Sequence, residues 1–174
     1  MKTIDHMIKQ LVSGGQSGVD RAALDAAIAA GVKIGGWCPK TRKAEDGVIA
    51  EIYTLNETPS AEYDQRTEWN VRDSDGTLLI VRGTIFGGSL NTKNCCSHYN
   101  KPLLVVDISK TSNLDEVIDW ISSNNVYILN VAGPRESHCK GIYDIAKTFM
   151  TDLFHIPINE LNTQLTRSTD DESC

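Results

Sequence analysis

No stretch of the chain approaches the roughly 18 apolar residues that a membrane span needs, and the opening segment MKTIDHMIKQ lacks the apolar core of a secretory signal. Basic residues are in deficit as well. Seventeen Lys and Arg against 23 Asp and Glu leave a net charge of −6, which argues against a dedicated nucleic-acid binder, since neutralising phosphates takes a basic surface. A small anionic ligand stays open, because it needs only a few local donors. CxxC spacing is missing too: the five cysteines, Cys38, Cys95, Cys96, Cys139 and Cys174, are odd in number and scattered. Neither a disulfide framework nor a structural zinc site is expected, and a reducing cytoplasm fits best. Cys95-Cys96 with His98 is too compressed for a metal site. There is no Walker A lysine, no strict GxGxxG and no GxSxG elbow, which lowers the standing of P-loop, dinucleotide and triad-hydrolase readings. His6, His138 and His155 have no spacing that pairs them with a nucleophile.

What the sequence does contain is alternation. With 40% hydrophobic residues in 174, it can bury the core of one domain. Short β-branched runs near Ile8–Ser13, Val32–Gly35, Thr77–Val81, Pro102–Asp107 and Val126–Val131 alternate with helical patterns, as in an α/β sandwich around a mainly parallel sheet. Val19, Ala22, Ala23, Ala26, Ala27 and Ala30 recur at helical spacing before Gly31, a C-terminal cap residue. Leu114, Val117, Ile118 and Ile121 repeat the pattern behind a capping box of Ser112 and Asp115. Ile142, Ile145, Ala146, Phe149 and Leu153 mark the last long helix. One domain over residues 1–164 is expected, with 165–174 as a polar, acidic and poorly ordered tail.

In an open parallel sheet, ligands bind beyond the carboxyl ends of the strands, and three loops there have unusual composition. The first, Ser13-Gly14-Gly15-Gln16-Ser17-Gly18-Val19-Asp20-Arg21, passes from strand to helix. Its glycines let backbone N–H groups approach a guest, and the helix start adds positive partial charge. It also reads as a tight turn capped by Ser17, with Asp20 as a favourable first-turn acid. The second loop runs from Arg82 through Gly87, Gly88 and Ser89 to Thr92; its hydroxyls suit either a cap or a ligand. The third, Asn130–Ser137, breaks at Gly133-Pro134 and places Arg135 where a guanidinium can reach an oxyanion.

A fourth feature is a helix expected from a Thr58-Pro59 cap to about Asp73. Along it Tyr63, Arg66, Thr67 and Asn70 form one polar stripe, which suits a cleft wall or a plain solvated face. Trp37, after the second strand, is placed either to stack on a flat ring or to pack.

The segments GGQSGVDRAALDAA, GGWCPKTRKAEDG, RTEWNVRDSDGTLLIV and GPRES with GIY, in that order from about Lys9 to Phe154, closely resemble the molybdenum (molybdenum-cofactor) carrier family. That resemblance implies a three-layer Rossmann-like fold, a homo-oligomer, and membership of a wider superfamily with lysine-decarboxylase-like proteins and the "lonely guy" nucleotide phosphoribohydrolases. In those hydrolases a helix arginine works with a glutamate of a PGGxGTxxE loop. Arg66 resembles the former, but Gly87-Gly88-Ser89-Leu90-Asn91-Thr92 holds no acid, so the usual acid/base group is missing.

The reading is therefore a non-catalytic carrier of molybdenum cofactor, a pterin dithiolene with a terminal phosphate, handed on to a molybdoenzyme acceptor. The expected binding residues are Gly14, Gly15, Gln16, Ser17, Gly18, Arg21, Arg66, Asn70, Gly87, Gly88, Ser89, Thr92 and Arg135, with no protein metal ligands, no nucleic acid and no membrane. A nucleotide phosphoribohydrolase using the same pocket is the alternative, and a nucleotide-sensing module a third.

Overall fold

The computed structural model describes residues 2–4, 7–110 and 114–158. Ser112, His6 and the expected tail lie outside the described residues. The elements are β1 (Lys2–Thr3), β2 (Gln10–Val12), α1 (Val19–Ala29), β3 (Ile34–Gly35), β4 (Trp37–Cys38), β5 (Lys43–Ala44), β6 (Gly47–Val48), β7 (Asn56–Glu57), α2 (Tyr63–Arg72), β8 (Gly76–Val81), α3 (Gly87–His98), β9 (Leu103–Asp107), α4 (Leu114–Ser123), β10 (Ile128–Ala132), α5 (Ile142–His155) and β11 (Pro157–Ile158). The alanine stripe does build a helix: Ala22, Ala23, Ala26 and Ala27 are buried, and Gly31 follows α1 at φ 73°. On α5, Ile142, Ala146, Phe149 and Leu153 are buried, whereas Ile145 is turned outward.

Five strands form one sheet in the order β3-β2-β10-β8-β9, with every neighbouring pair parallel. Chain direction then fixes the layers. The β2–α1–β3 crossover runs toward one edge and β8–α3–β9 toward the other. Right-handed connections therefore put α1 and α3 on opposite faces. Helix α5 packs on α1, and α2 packs on α3, giving a helix–sheet–helix sandwich of Rossmann-like type.

Strand order matters most for function. β10 lies between β2 and β8, so the three loops singled out above leave adjacent strands at the same sheet edge. Between them the backbone is tightly tied: the Ser13 hydroxyl, fully buried, donates to the Val131 carbonyl at 2.7 Å.

The helix expected from Thr58 starts five residues later. The Thr58 hydroxyl donates to the Cys38 and Ser60 carbonyls, at 3.2 and 2.9 Å. That anchors the end of the short β4–β7 pair rather than a helix cap. The Gln65 side chain reaches back to accept from the Ser60 amide at 2.8 Å, and α2 begins at Tyr63.

Candidate functional site

The N-terminus of α1 is partly closed by the protein's own groups. The Gln16 amide donates to Asp20 Oδ2 at 3.3 Å, the Ser17 amide to the Gln16 side-chain oxygen at 3.0 Å, and the Val19 amide to the Pro134 carbonyl at 3.2 Å. Ser17 does not cap the helix. The cap position is Gly18; the Ser17 hydroxyl donates to the Glu45 carboxylate and its oxygen accepts from the Glu136 amide at 3.1 Å, so it serves the third loop rather than a helix amide. Arg21 points elsewhere, donating to the Gly15 carbonyl at 3.0 Å and pairing with Asp46 at 3.2 Å. Gly15, Ser17, Gly18 and Arg21 thus shape and tie the loop without lining the cleft beside it.

That cleft has a cavity volume of about 110 Å³. One water occupies roughly 10–15 Å³ on this measure, so there is room for a group several waters in size. Of the expected residues, Gln16, Arg66, Gly88, Ser89 and Arg135 line it. An inner recess of about 40 Å³ shares Arg66, Thr67, Gly88 and Gly133, and adds Gly14, Asn70 and Thr92 beside Asp20. Gly87 lines neither. Asn70 is also committed structurally: its amide accepts from the Trp37 N–H at 2.8 Å and donates to the Trp37 carbonyl at 2.9 Å, fastening β4 to α2. Trp37 itself packs perpendicular to Trp69 and donates its indole N–H to Asp73, and it lines neither cavity.

Arg66 is the centre of the arrangement. Its Nη1 pairs with Asp20 Oδ2 at 2.5 Å, with side-chain exposures of 14% and 4%. Its Nε is buried with no hydrogen-bond partner among the described residues. The space it occupies exists because residue 14 is glycine: a Cβ there would sit 1.6 Å from Nη1. Asp20 is the first-turn acid the sequence suggests, and, buried at 3% exposure, it is also the counterion of Arg66.

Around the Tyr63 ring three cations converge, Lys43 at 5.6 Å, Arg66 at 5.7 Å and Arg135 at 5.6 Å from its centroid. Arg82 and His138 line the same cleft. Opposing charge is sparse and already engaged. Asp64 accepts from Asn91 at 3.1 Å, and Glu45 stands 3.8 Å from Arg135, beyond hydrogen-bond reach. The N-terminus of α3 adds to the positive side. No side chain caps it, and the Gly87 and Gly88 amides have no protein acceptor among the described residues. The Thr92 hydroxyl is spent on the Gly88 carbonyl at 3.0 Å.

Glu45 and Lys43 were missed from sequence, because their partners lie across three loops. Glu45 accepts from Ser17, from the Ser137 hydroxyl and from the Ser137 amide, stapling the first loop to the third. Burial pushes its carboxyl up, but the Ser137 and Ser17 hydrogen bonds and the Arg135 charge outweigh that and hold it below the ordinary 4.5. A carboxylate with a depressed folded-state pKa contributes stability above its unfolded value and loses it on acidification through the folded one. The difference in stability between wild type and Glu45→Gln is therefore expected to be full above pH 5 or so and to shrink as pH falls below 4.5. Urea melts across that range measure it; a gap independent of pH would refute it.

The parallel sheet and its flanking helices define a Rossmann-like α/β protein, with a cationic cleft at the carboxyl ends of adjacent central strands. Residues 11–154 match the circularly permutated YpsA SLOG family, and the chain belongs to that family. It is also similar to the crystal structure of the "Putative molybdenum carrier protein" of Syntrophus aciditrophicus SB, at 42% sequence identity and a TM-score of 0.81, over 86% of this chain and 96% of that one. No curated protein matches the chain. Among the described residues, no helix is long and apolar enough to cross a membrane, and no group of three or more His, Cys, Asp or Glu is placed to hold a metal ion.

Proposed function

We propose that this protein binds molybdenum cofactor in the cleft and carries it without chemical turnover. One observation supports the reading above the others: three cations gather around Tyr63 while Arg66 keeps a buried Nε without a partner. Asp20 answers Arg66 and Glu45 stands 3.8 Å from Arg135, but Lys43 and Arg82 add to the cleft a cationic excess that, in a chain of net charge −6, favours a guest that supplies the anion. The cofactor does so twice, at its phosphate and at its oxo-molybdenum end. The dithiolene sulfurs hold the metal, so the protein need contribute no ligands to it. The name of the Syntrophus protein agrees with such a cargo.

Of the two glycine-rich loops, the second suits the phosphate better, because Gly88 lines the cleft and the Gly87 and Gly88 amides have no acceptor among the described residues, whereas Gln16, which lines it from the first loop, has its amide bonded to Asp20. Gln16, Arg66, Ser89 and Arg135 would complete the contacts. Of the carboxylates nearby, Asp20 is paired with Arg66 and Asp64 accepts from Asn91, and the second loop supplies no acid of the kind the phosphoribohydrolases use. Oligomerisation and transfer to an acceptor enzyme belong to the same reading and rest on family resemblance.

The test is ligand identity. Protein purified from a cofactor-producing host is expected to carry a phosphorylated pterin by mass spectrometry, with molybdenum in proportion. Gel filtration should show the cofactor lost from Arg66→Ala. Release of free base and ribose phosphate from a nucleotide panel would overturn the carrier reading in favour of the phosphoribohydrolase.

A further inference from the structure

An anion site of this kind would hold any small oxyanion, free molybdate and phosphate included. The residues at the same cleft add a second requirement. Phe86, a large apolar side chain, is left 51% exposed at the start of α3. Its ring meets that of His138 with centroids 5.7 Å apart and a 38° tilt. Both line the cleft, one from the second loop and one from the third. Packing does not account for the exposure, since α3 buries Ser89, Thr92 and Cys96 instead. Exposed aromatic surface is costly in water and cheap when covered by another flat ring.

The third aromatic of the cleft cannot take this part. The Tyr63 ring is surrounded by Lys43, Arg66 and Arg135, which use its electron-rich face. Labour is thus divided within one cavity: Tyr63 holds the cations that meet an anion, and Phe86 with His138 offers a preformed aromatic surface.

We infer that Phe86, seconded by His138, is a specificity-determining residue, the side chain that makes this cleft prefer a phosphate carrying a flat heterocycle over a bare oxyanion. The inference rests on the cofactor-binding reading above and assigns its ring contact to named residues. A pterin phosphate and a purine mononucleotide both satisfy it; inorganic molybdate and phosphate meet only half of the site.

Calorimetric titration of the full chain with inorganic phosphate, molybdate, AMP, GMP and 6-hydroxymethylpterin phosphate tests it. The wild type should bind at least one ring-bearing phosphate about ten- to a hundredfold more tightly than inorganic phosphate, the range aromatic stacking supplies. Phe86→Ala should bring the ring-bearing probe to within about threefold of phosphate through loss of affinity for the ring-bearing probe, and Phe86→Tyr should restore the preference. Because Phe86 is half-exposed, circular dichroism should show Phe86→Ala folded. Phosphate binding with no preference for a ring, or a preference that survives Phe86→Ala, overturns the inference and leaves the anion site standing. Failure of the wild type to bind any probe overturns the anion site and this inference with it.

Discussion

Arg66→Ala is expected to lower stability by about 3–5 kcal/mol, the usual cost of removing one partner of a buried ion pair, and to abolish measurable anion binding. Both effects come from one geometry. Asp20, with 4% of its side chain exposed, depends on Arg66 Nη1 for charge balance and, among the described residues, keeps only the Gln16 amide as a donor once the guanidinium is gone. The cleft meanwhile loses the buried Nε that no protein group satisfies. Truncating a hydrogen-bonded charge in an interface costs roughly 2–5 kcal/mol of affinity, thirtyfold at the least by the usual conversion.

The double variant Asp20→Ala/Arg66→Ala separates the two effects. With neither charge stranded, much of the stability should return, because the penalty lies in the unpaired partner. Binding should not return, because the group that meets the ligand is still missing. Urea unfolding and phosphate titration on all three variants give the cycle. Additive losses in stability would show that the 2.5 Å contact carries no coupling.

Much of this fold is written in local pattern. The alanine spacing of α1 and the β-branched runs of the five sheet strands need no tertiary information, and the glycine after α1 marks its end. Strand order is different. Nothing local says that β10 inserts between β2 and β8, yet that insertion is what brings three loops into one cleft. The polar stripe on α2 was legible as unusual, and Tyr63, Arg66 and Thr67 do face the cleft. Asn70, in the same stripe, is spent holding the Trp37 backbone. Periodicity gives the face and cannot say which amide finds a backbone partner first. The first loop shows the same limit. Its glycines signal a place where chain or ligand comes close, and here much of the approach is made by the chain itself, through Asp20, Pro134 and Glu45. Glu45 carries no signal at all, since its partners Ser17 and Ser137 are 28 and 92 residues distant.

The glycines of the two loops should therefore respond in opposite ways to the same substitution. Gly18 has φ 77° and ψ −130°, a conformation open in practice only to glycine. A Cβ there would lie 2.5 Å from the Pro134 carbonyl oxygen and 2.8 Å from the Glu136 nitrogen, backbone atoms that cannot swing aside. Backbone strain of about 1–3 kcal/mol adds to that clash, so Gly18→Ala should lose at least about 3 kcal/mol and prise the first loop from the third. Gly88 lines the cleft from the first turn of α3, and a Cβ there meets nothing within 4 Å. Gly88→Ala should leave stability unchanged or raise it by up to about 1 kcal/mol through helix propensity, while weakening phosphate binding by intruding on the space the anion would fill. Chemical denaturation and phosphate titration on the pair decide the matter. If Gly88→Ala binds phosphate as the wild type does, the α3 terminus is not where the anion sits.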